Sequence, residues 1–427
     1  MICSASIASL IALSGCQGPK SENVKLKEGF NQSNNPFAFD VPYEYWQKPW
    51  NQMPSEGDLR GSDSMPWSGD YWATFKGGIT YRWQMDNTRS SDYRSFLYQL
   101  PTEAQIKGWL ETDQMDLINQ LSPAEKYDIL NGRYDLPLTR YIRSQVANAV
   151  DNGKIPTWFG ICHGWAAAAY MEKEPRLPVS RNDAVYGKQI VFHPSDLKAL
   201  ISQVYADVDS FSAEDETLFL GSRFNGNTSA FNRIDELNVF SRISNSNLRD
   251  INPGAFHLAL TYYVGQEKRS FVAEVDKKAE VWNHPVVSYS TRQINSFPGG
   301  YRPFYKAKTF MGQPITEPVD RVYLRTQMEI AVETGPFNPR LATSTKTYTY
   351  SIEVGRRSGR IYGGEWAPSV INREGWPDFA WDRTQTALSV EWYDMWENAS
   401  ESQRRYLEAN LPALSYEQIH SMLEDAR

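Results

Sequence analysis

Residues Trp158 to Ala169 of this 427-residue chain read WFGICHGWAAAA, and this segment carries most of the information about its architecture. The alanine run favours a helix from Cys162 to Lys173, which Pro175 and Pro178 end. Cys162 would then occupy the first turn, where unpaired N–H groups and the helix dipole stabilise a thiolate. The segment therefore predicts a nucleophilic cysteine, and the alternative is a buried, inert one.

The other two cysteines, Cys3 and Cys16, lie at the N-terminus. Residues 1–15 are apolar and end in Leu-Ser-Gly before Cys16, which resembles the lipobox of bacterial lipoproteins. The run is too short for a lasting membrane span. We therefore predict a signal peptide over 1–15, lipidation of Cys16, and export to a membrane-anchored position in the periplasm or on the cell surface, or secretion. Cys162 would be the one thiol without lipid in the mature chain.

Composition limits the function classes. The net charge of −7 argues against a nucleic-acid partner. The 14 Trp and 24 Tyr residues suit a groove for a polymer, although core packing also uses such residues. Composition shifts along the chain predict a flexible stalk over 16–62, a main domain over 63–395 that carries the candidate nucleophile, and C-terminal helices over 396–427.

The secondary-structure pattern predicts an α+β fold. Capping signals and periodicity place helices between residues 103 and 153 and from Ser195 to Tyr205. Strands are predicted where β-branched and aromatic residues concentrate, at 256–264, 270–275 and 347–354. A turn is predicted at 363–366. The helical half carries the cysteine, and the sheet half carries the candidate base.

A thiol nucleophile needs a base, and the chain has five histidines. His163 would point about 100° away from Cys162 on the same helix. His257 opens a predicted apolar strand, where a polar residue is unusual, so it is the favoured base, although a satisfied core histidine is the alternative. Asp276 or Asn283 would accept the other N–H of that imidazole, by the logic of a cysteine-histidine-Asp/Asn triad.

Residues around the cysteine suggest how substrate binds. Gly160 and Gly164 flank Cys162 and would let a substrate backbone approach closely. Trp158, Trp165 and Trp282 would form walls that keep water out of the site. The backbone N–H of Cys162 would be a donor to an oxyanion.

Several motifs together resemble the transglutaminase elicitor family, first known from oomycete plant pathogens. The most specific is Val281-Trp282-Asn283-His284-Pro285-Val286, where the oomycete motif has glutamine at the position of His284. This replacement argues against His284 as the base. Further similarity covers most of residues 63–385, in the segments Pro66-Trp67, Tyr71-Trp72, Tyr81-Arg82-Trp83, Asn252 to His257, Phe271 to Asp276, Gly363 to Trp366 and Pro377 to Phe379.

The resemblance implies a fold of the papain-like cysteine protease/transglutaminase superfamily, with Cys162 as nucleophile, His257 as base and a downstream Asp or Asn. It implies protein-glutamine γ-glutamyltransferase activity, in which a thioester with a glutamine side chain passes to a lysine or another primary amine. A cysteine protease, a deamidase or an amidase would use the same triad. A non-catalytic surface-binding lipoprotein is the alternative outside enzymes.

No cofactor or metal site is predicted. An acidic cluster could attract Ca²⁺, but it lacks the oxygen-ligand spacing and the glycine of a dedicated loop. A solvated helix cap is therefore the favoured interpretation of these residues, which are Asp207, Asp209, Glu214, Asp215 and Glu216.

Overall fold

A computed structural model describes most of the chain. The described residues are 34–85, 89–208, 217–221, 251–275, 280–303, 306–338, 340–368, 370–373, 375–383 and 414–427. The predicted signal peptide with Cys16, the candidate triad residue Asp276, and the acidic cluster from Asp209 onward lie outside these residues.

Nine α-helices are present in these ranges. They are α1 (Tyr43–Trp46), α2 (Glu103–Glu111), α3 (Met115–Asn119), α4 (Pro123–Leu130), α5 (Pro137–Asn148), α6 (Cys162–Met171), α7 (Pro194–Val208), α8 (Pro253–Leu260) and α9 (Tyr416–Asp425). Helices α2 and α4 begin with capping boxes at Thr102 and Ser122, as their sequences predict. The predicted helices at 103–153, at Ser195 and at Cys162 are confirmed.

Twelve strands lie in the same part of the chain. They are β1 (Glu56–Asp58), β2 (Val179–Asn182), β3 (Gln189–Phe192), β4 (Thr217–Gly221), β5 (Val272–Glu274), β6 (Asn283–Ile294), β7 (Thr309–Phe310), β8 (Gln313–Pro314), β9 (Val319–Ala331), β10 (Thr343–Gly355), β11 (Ile361–Trp366) and β12 (Phe379–Arg383). The main sheet has the order β11-β10-β9-β6-β5-β12-β4, with β1 also paired to β6. All its pairings are antiparallel, so the predicted α+β class is confirmed.

The sheet separates two hydrophobic clusters. Neighbouring residues on one strand point to opposite faces, and Val272 and Trp381 belong to one cluster while Ala273 and Ala380 belong to the other. Helix α6 packs its alanines into the first cluster, and α8 packs into the second. One face of the sheet therefore carries α6 with Cys162, and the other face carries α8 with His257.

Helix α6 lies unusually close to α7. A Cβ added at Gly164 would stand 2.1 Å from the carbonyl oxygen of Ser202 and 2.8 Å from the Cβ of Ala206. Only glycine permits this approach, so Gly164 serves helix packing. The same contact fixes the position of Cys162 at the start of α6.

Three sequence predictions about the fold were wrong. Residues 256–264 form the end of α8 and a π-helical turn, Thr261–Glu267, because Asn252 caps the helix through Gly254 N (2.9 Å) and Pro253 follows at its first position. Residues 363–366 lie within β11 and do not form a turn. The predicted stalk is packed from residue 34 on, since Phe39 and Trp46 are buried in the second cluster.

Among the described residues, no helix is both long and apolar enough to cross a membrane.

Candidate active site

Cys162 is the first residue of α6, and its thiol is free and buried. Its Sγ accepts a hydrogen bond from Asn283 Nδ2 (3.5 Å) and donates one to the carbonyl oxygen of Val281 (3.7 Å). Asn283 begins β6, and so the sulfur lies where the start of a helix meets the start of a strand. Asn283 was predicted to orient the histidine base, but its amide contacts the thiol instead, and the other candidate, Asp276, lies outside the described residues.

The side-chain oxygen of Asn283, on the far side of the amide from the sulfur, is also hydrogen-bonded. Trp381 on β12 donates its indole N–H to Asn283 Oδ1 at 2.8 Å. Because that oxygen accepts from an indole, the amide presents its NH₂ group to the sulfur. Trp381 is therefore a positioning residue that the sequence motifs did not single out.

Burial raises the pKa of the Cys162 thiol to about 11. Hydrogen bonds from the Asn283 side chain, from its backbone N–H and from the backbone N–H of His163 act in the opposite direction. These donors would stabilise a thiolate once formed, but the resting thiol is protonated at neutral pH. Formation of a thiolate at neutral pH would therefore need a base nearby.

Two aromatic residues lie next to the residues that surround the thiol, because the carbonyl oxygen of Tyr71 accepts the backbone N–H of Ile161 and Trp282 stands between Val281 and Asn283. The rings of Tyr71 and Trp282 meet edge-on with centroids 5.8 Å apart, and both side chains are partly exposed. Tyr71 donates its hydroxyl to the carbonyl of Thr157 (2.7 Å), and burial, aided by the negative fields of Asp70, Glu333 and Cys162, raises its pKa to about 12. The predicted role of Trp282 as a wall of the site stays a prediction, and Tyr71 is its ring partner.

The other predicted substrate contacts have different positions. Trp165 is fully buried in the first cluster, so it supports the site from below. A Cβ at Gly160 would meet the Tyr71 carbonyl oxygen at 2.5 Å, so this glycine is required by the protein's own backbone. Trp158 is partly exposed and packs its ring against Phe159 at 5.8 Å.

His257 is not beside Cys162. It lies on α8, on the opposite face of the sheet, and its Nδ1 pairs with the Tyr350 hydroxyl at 2.9 Å. That hydroxyl continues to Thr326 (2.8 Å) and from there to Thr291 (2.7 Å). The prediction of His257 as the base was wrong in its geometry, because the segment is a helix on the far side of the core. His257 is a satisfied core histidine.

We expect the pH dependence of stability to show this role. Burial lowers the pKa of His257 to about 4. As the pH falls, the unfolded chain binds a proton at this histidine near pH 6.5, whereas the folded protein binds it only near pH 4. The contribution of His257 to the free energy of unfolding is therefore complete above pH 6.5 and is lost between pH 6.5 and pH 4. In His257→Gln, we expect this part of the dependence, about 3 kcal/mol, to vanish. Urea unfolding at pH 7 and pH 4 measures it, and a wild-type slope in the variant would contradict the assignment.

A different histidine lies near the thiol, at the position where the family motif had argued against a base. His284 follows Asn283, and its Nδ1 lies 3.0 Å from the carbonyl oxygen of Ala331 and 3.7 Å from Glu333 Oε2. Its ring stands edge-on to Trp165, with centroids 6.2 Å apart. The register of β6 against β9 brings these residues together, and no local motif in the sequence marks Glu333. In the part of the chain that the structure describes, no three potential metal ligands cluster.

Comparisons with known proteins agree on one relationship. The family model described as transglutaminase elicitor matches residues 50–389. No curated protein matches the chain. The crystal structure of the GP42 transglutaminase from Phytophthora sojae matches with a TM-score of 0.54 and 22% sequence identity, over 92% of this chain and 99% of that chain. At this identity the structural match supports the fold, and the family match covers the site described above.

Proposed function

Because the chain belongs to the transglutaminase elicitor family, we propose that it is a transglutaminase-type acyltransferase with Cys162 as its nucleophile. One observation carries the proposal. The chain's free thiol in the described residues stands at the first residue of a helix, with the Asn283 amide directed at its sulfur. Helix N-termini and amide donors favour an anionic sulfur, which is the attacking species.

The reaction has two halves. The Cys162 sulfur attacks the γ-carbon of a glutamine carboxamide, and ammonia leaves as the thioester forms. A lysine side chain or another primary amine then attacks the thioester carbonyl, and the thiol is released. Each half passes through an oxyanion, for which the N–H groups at the start of α6 are available donors.

The surroundings of the thiol favour an amine over water as the acceptor. Cys162 is 6 % exposed, and the partly exposed rings of Tyr71 and Trp282 contact each other near it, since the residues on both sides of Trp282 contact the sulfur. Aromatic rings at the entrance can pack along the methylenes of glutamine and lysine side chains while limiting the access of water. Trp158, four residues before Cys162 and partly exposed, is a further candidate contact for the substrate.

Two other proposals follow from the sequence. The nucleophile helix against an antiparallel sheet supports a papain-like arrangement for the catalytic unit. The lipobox-like segment supports export and anchoring to a membrane through lipid on Cys16. Labelling of the full chain with a fatty-acid analogue, beside Cys16→Ala, tests the second proposal, and equal labelling of both would contradict it.

The product distribution tests the function. A glutamine-containing protein is incubated with the purified chain and a tagged primary amine, and peptides are analysed by mass spectrometry. Amine attached to glutamine is the expected result. Conversion of glutamine to glutamate alone would make the protein a deamidase, and a cut backbone would make it a protease. No covalent change in the substrate would favour a binding protein.

A further inference from the structure

The acid–base groups of this site come from two neighbouring strands. His284 is the second residue of β6, and Glu333 follows the end of β9 by two residues. The two strands pair in antiparallel fashion, with Val286 opposite Ile330. This register brings His284 and Glu333 together where β6 begins and β9 ends, which is also where Asn283 contacts the thiol.

The hydrogen bond at Nδ1 determines which nitrogen of His284 is basic. A carbonyl oxygen only accepts, so the 3.0 Å contact with Ala331 places the proton on Nδ1. The lone pair then lies on Nε2, for which no described residue is a hydrogen-bond partner. Burial lowers the pKa of His284 to about 4, with a further lowering by Lys346, so the ring is neutral and able to accept a proton at neutral pH.

The ring is located beside the nucleophile helix. His284 is buried, with 8% of its side chain exposed, and its edge-on partner Trp165 lies one turn after Cys162 on α6. Asn283, the preceding residue, contacts the sulfur directly. The histidine is therefore held between the first turn of α6 and the end of β9.

Glu333 is suited to stabilise a protonated His284. Its Oε2 lies 3.7 Å from Nδ1, and its Oε1 is buried with no partner in another described residue. Burial raises the pKa of Glu333 to about 7, and the nearby Asp70 adds to this. A protonated His284 would favour the ionised form of Glu333. The negative carboxylate would in turn offset the cost of placing a positive charge on the buried ring.

We propose that His284 is the general base and acid of the reaction and that Glu333 is its positioning partner, an assignment that rests on the proposed function. His284 Nε2 takes the thiol proton as the sulfur–carbon bond forms, and returns it to the nitrogen that leaves as ammonia. In the second half, Nε2 takes a proton from the attacking amine and returns it to the sulfur as the carbon–sulfur bond breaks. No proton is gained or lost over the cycle.

Matched glutamine variants test the inference, with His257→Gln as the control on the other face of the sheet. We expect ammonia release to fall about 100-fold or more in His284→Gln, to be partly restored by added imidazole, and to be unchanged at pH 7 in the control. Circular dichroism shows whether each variant is folded. Folded His284→Gln with the activity of the control would overturn the assignment.

Glu333→Gln separates positioning from simple structural support. Losing the carboxylate should move the acid limb of the pH profile of kcat/KM to lower pH, because the imidazolium loses its negative neighbour. The other charged and titratable groups that face this pair are Asp70, Tyr71, Cys162 and Lys346, and all remain in the variant. An unmoved acid limb would overturn the role of Glu333, and this test also serves if His284→Gln does not fold.

Alkylation of Cys162 distinguishes this inference from the proposed function. Iodoacetamide needs the thiolate but no glutamine substrate, so its rate reports on the base alone. We expect His284→Gln to react at least about tenfold more slowly than wild type at pH 7. If wild type forms no transfer product but His284→Gln is still alkylated slowly, the proposed function is refuted and the pairing of the thiol with His284 is retained. Equal alkylation rates would overturn the pairing whatever the product.

Discussion

Cys162→Ala should lose amine incorporation by about 10⁴-fold or more, because loss of a nucleophile removes the covalent route altogether. The thiol is small and its neighbours are held by other contacts, since Trp381 fixes Asn283 from behind. The substitution should therefore cost only about 1 kcal/mol of stability. Initial rates of incorporation of a tagged amine measure the effect.

Cys162→Ser is the matched variant. Its hydroxyl preserves a donor to Val281 and an acceptor for Asn283, but a hydroxyl is far harder to deprotonate than a thiol. We expect this variant to melt at the wild-type temperature and to be as inactive as the alanine variant. Substantial incorporation by either folded variant would mean that another residue is the nucleophile.

Gly164→Ala should destabilise the protein by about 3 kcal/mol or more, through overpacking between α6 and α7. The added Cβ would lie 2.1 Å from a backbone oxygen, that of Ser202, which cannot rotate away. The two helices would have to separate, and the first turn of α6 with Cys162 would move with them. Activity should fall in the fraction that remains folded.

Gly108→Ala is the control for this prediction. Gly108 lies within helix α2, and a Cβ added there would meet no other part of the protein within 4 Å. Alanine at this position should therefore stabilise by roughly 0.5–1 kcal/mol through helix propensity. Urea unfolding of both variants gives the comparison. A Gly164→Ala variant as stable as Gly108→Ala would show that α6 and α7 do not make this close contact.

Local signals predicted the helices well. The alanine run defined α6, and the capping residues Thr102 and Ser122 defined α2 and α4, because each depends on residues close in sequence. The same rules failed at His257, since a short apolar run with aromatic and β-branched residues suits a strand or a buried helix equally. The cap formed by Asn252 and Pro253 was the deciding signal.

The site was predictable only in part. Cys162 was singled out by its own segment, and Asn283 was singled out as a partner of the histidine, whereas its amide contacts the thiol. The pairing of His284 with Glu333 depends on the register of β6 against β9, which includes a bulge between Val286 and Ser288. Register is set by the whole sheet, so no local pattern reveals it. The aromatic residues of 34–62 were not recognised as core because they stand among turn-forming residues and their packing partners are distant in sequence.

Trapping of the acyl-enzyme, followed by intact-mass and peptide spectrometry, shows whether Cys162 forms the thioester. Wild-type protein is mixed with a glutamine peptide in the absence of an amine, quenched in acid and digested. We predict an adduct on Cys162 with the mass of the peptide less one ammonia, which disappears when a primary amine is added. Product formation with an unmodified Cys162, or an adduct on another residue, would contradict this mechanism.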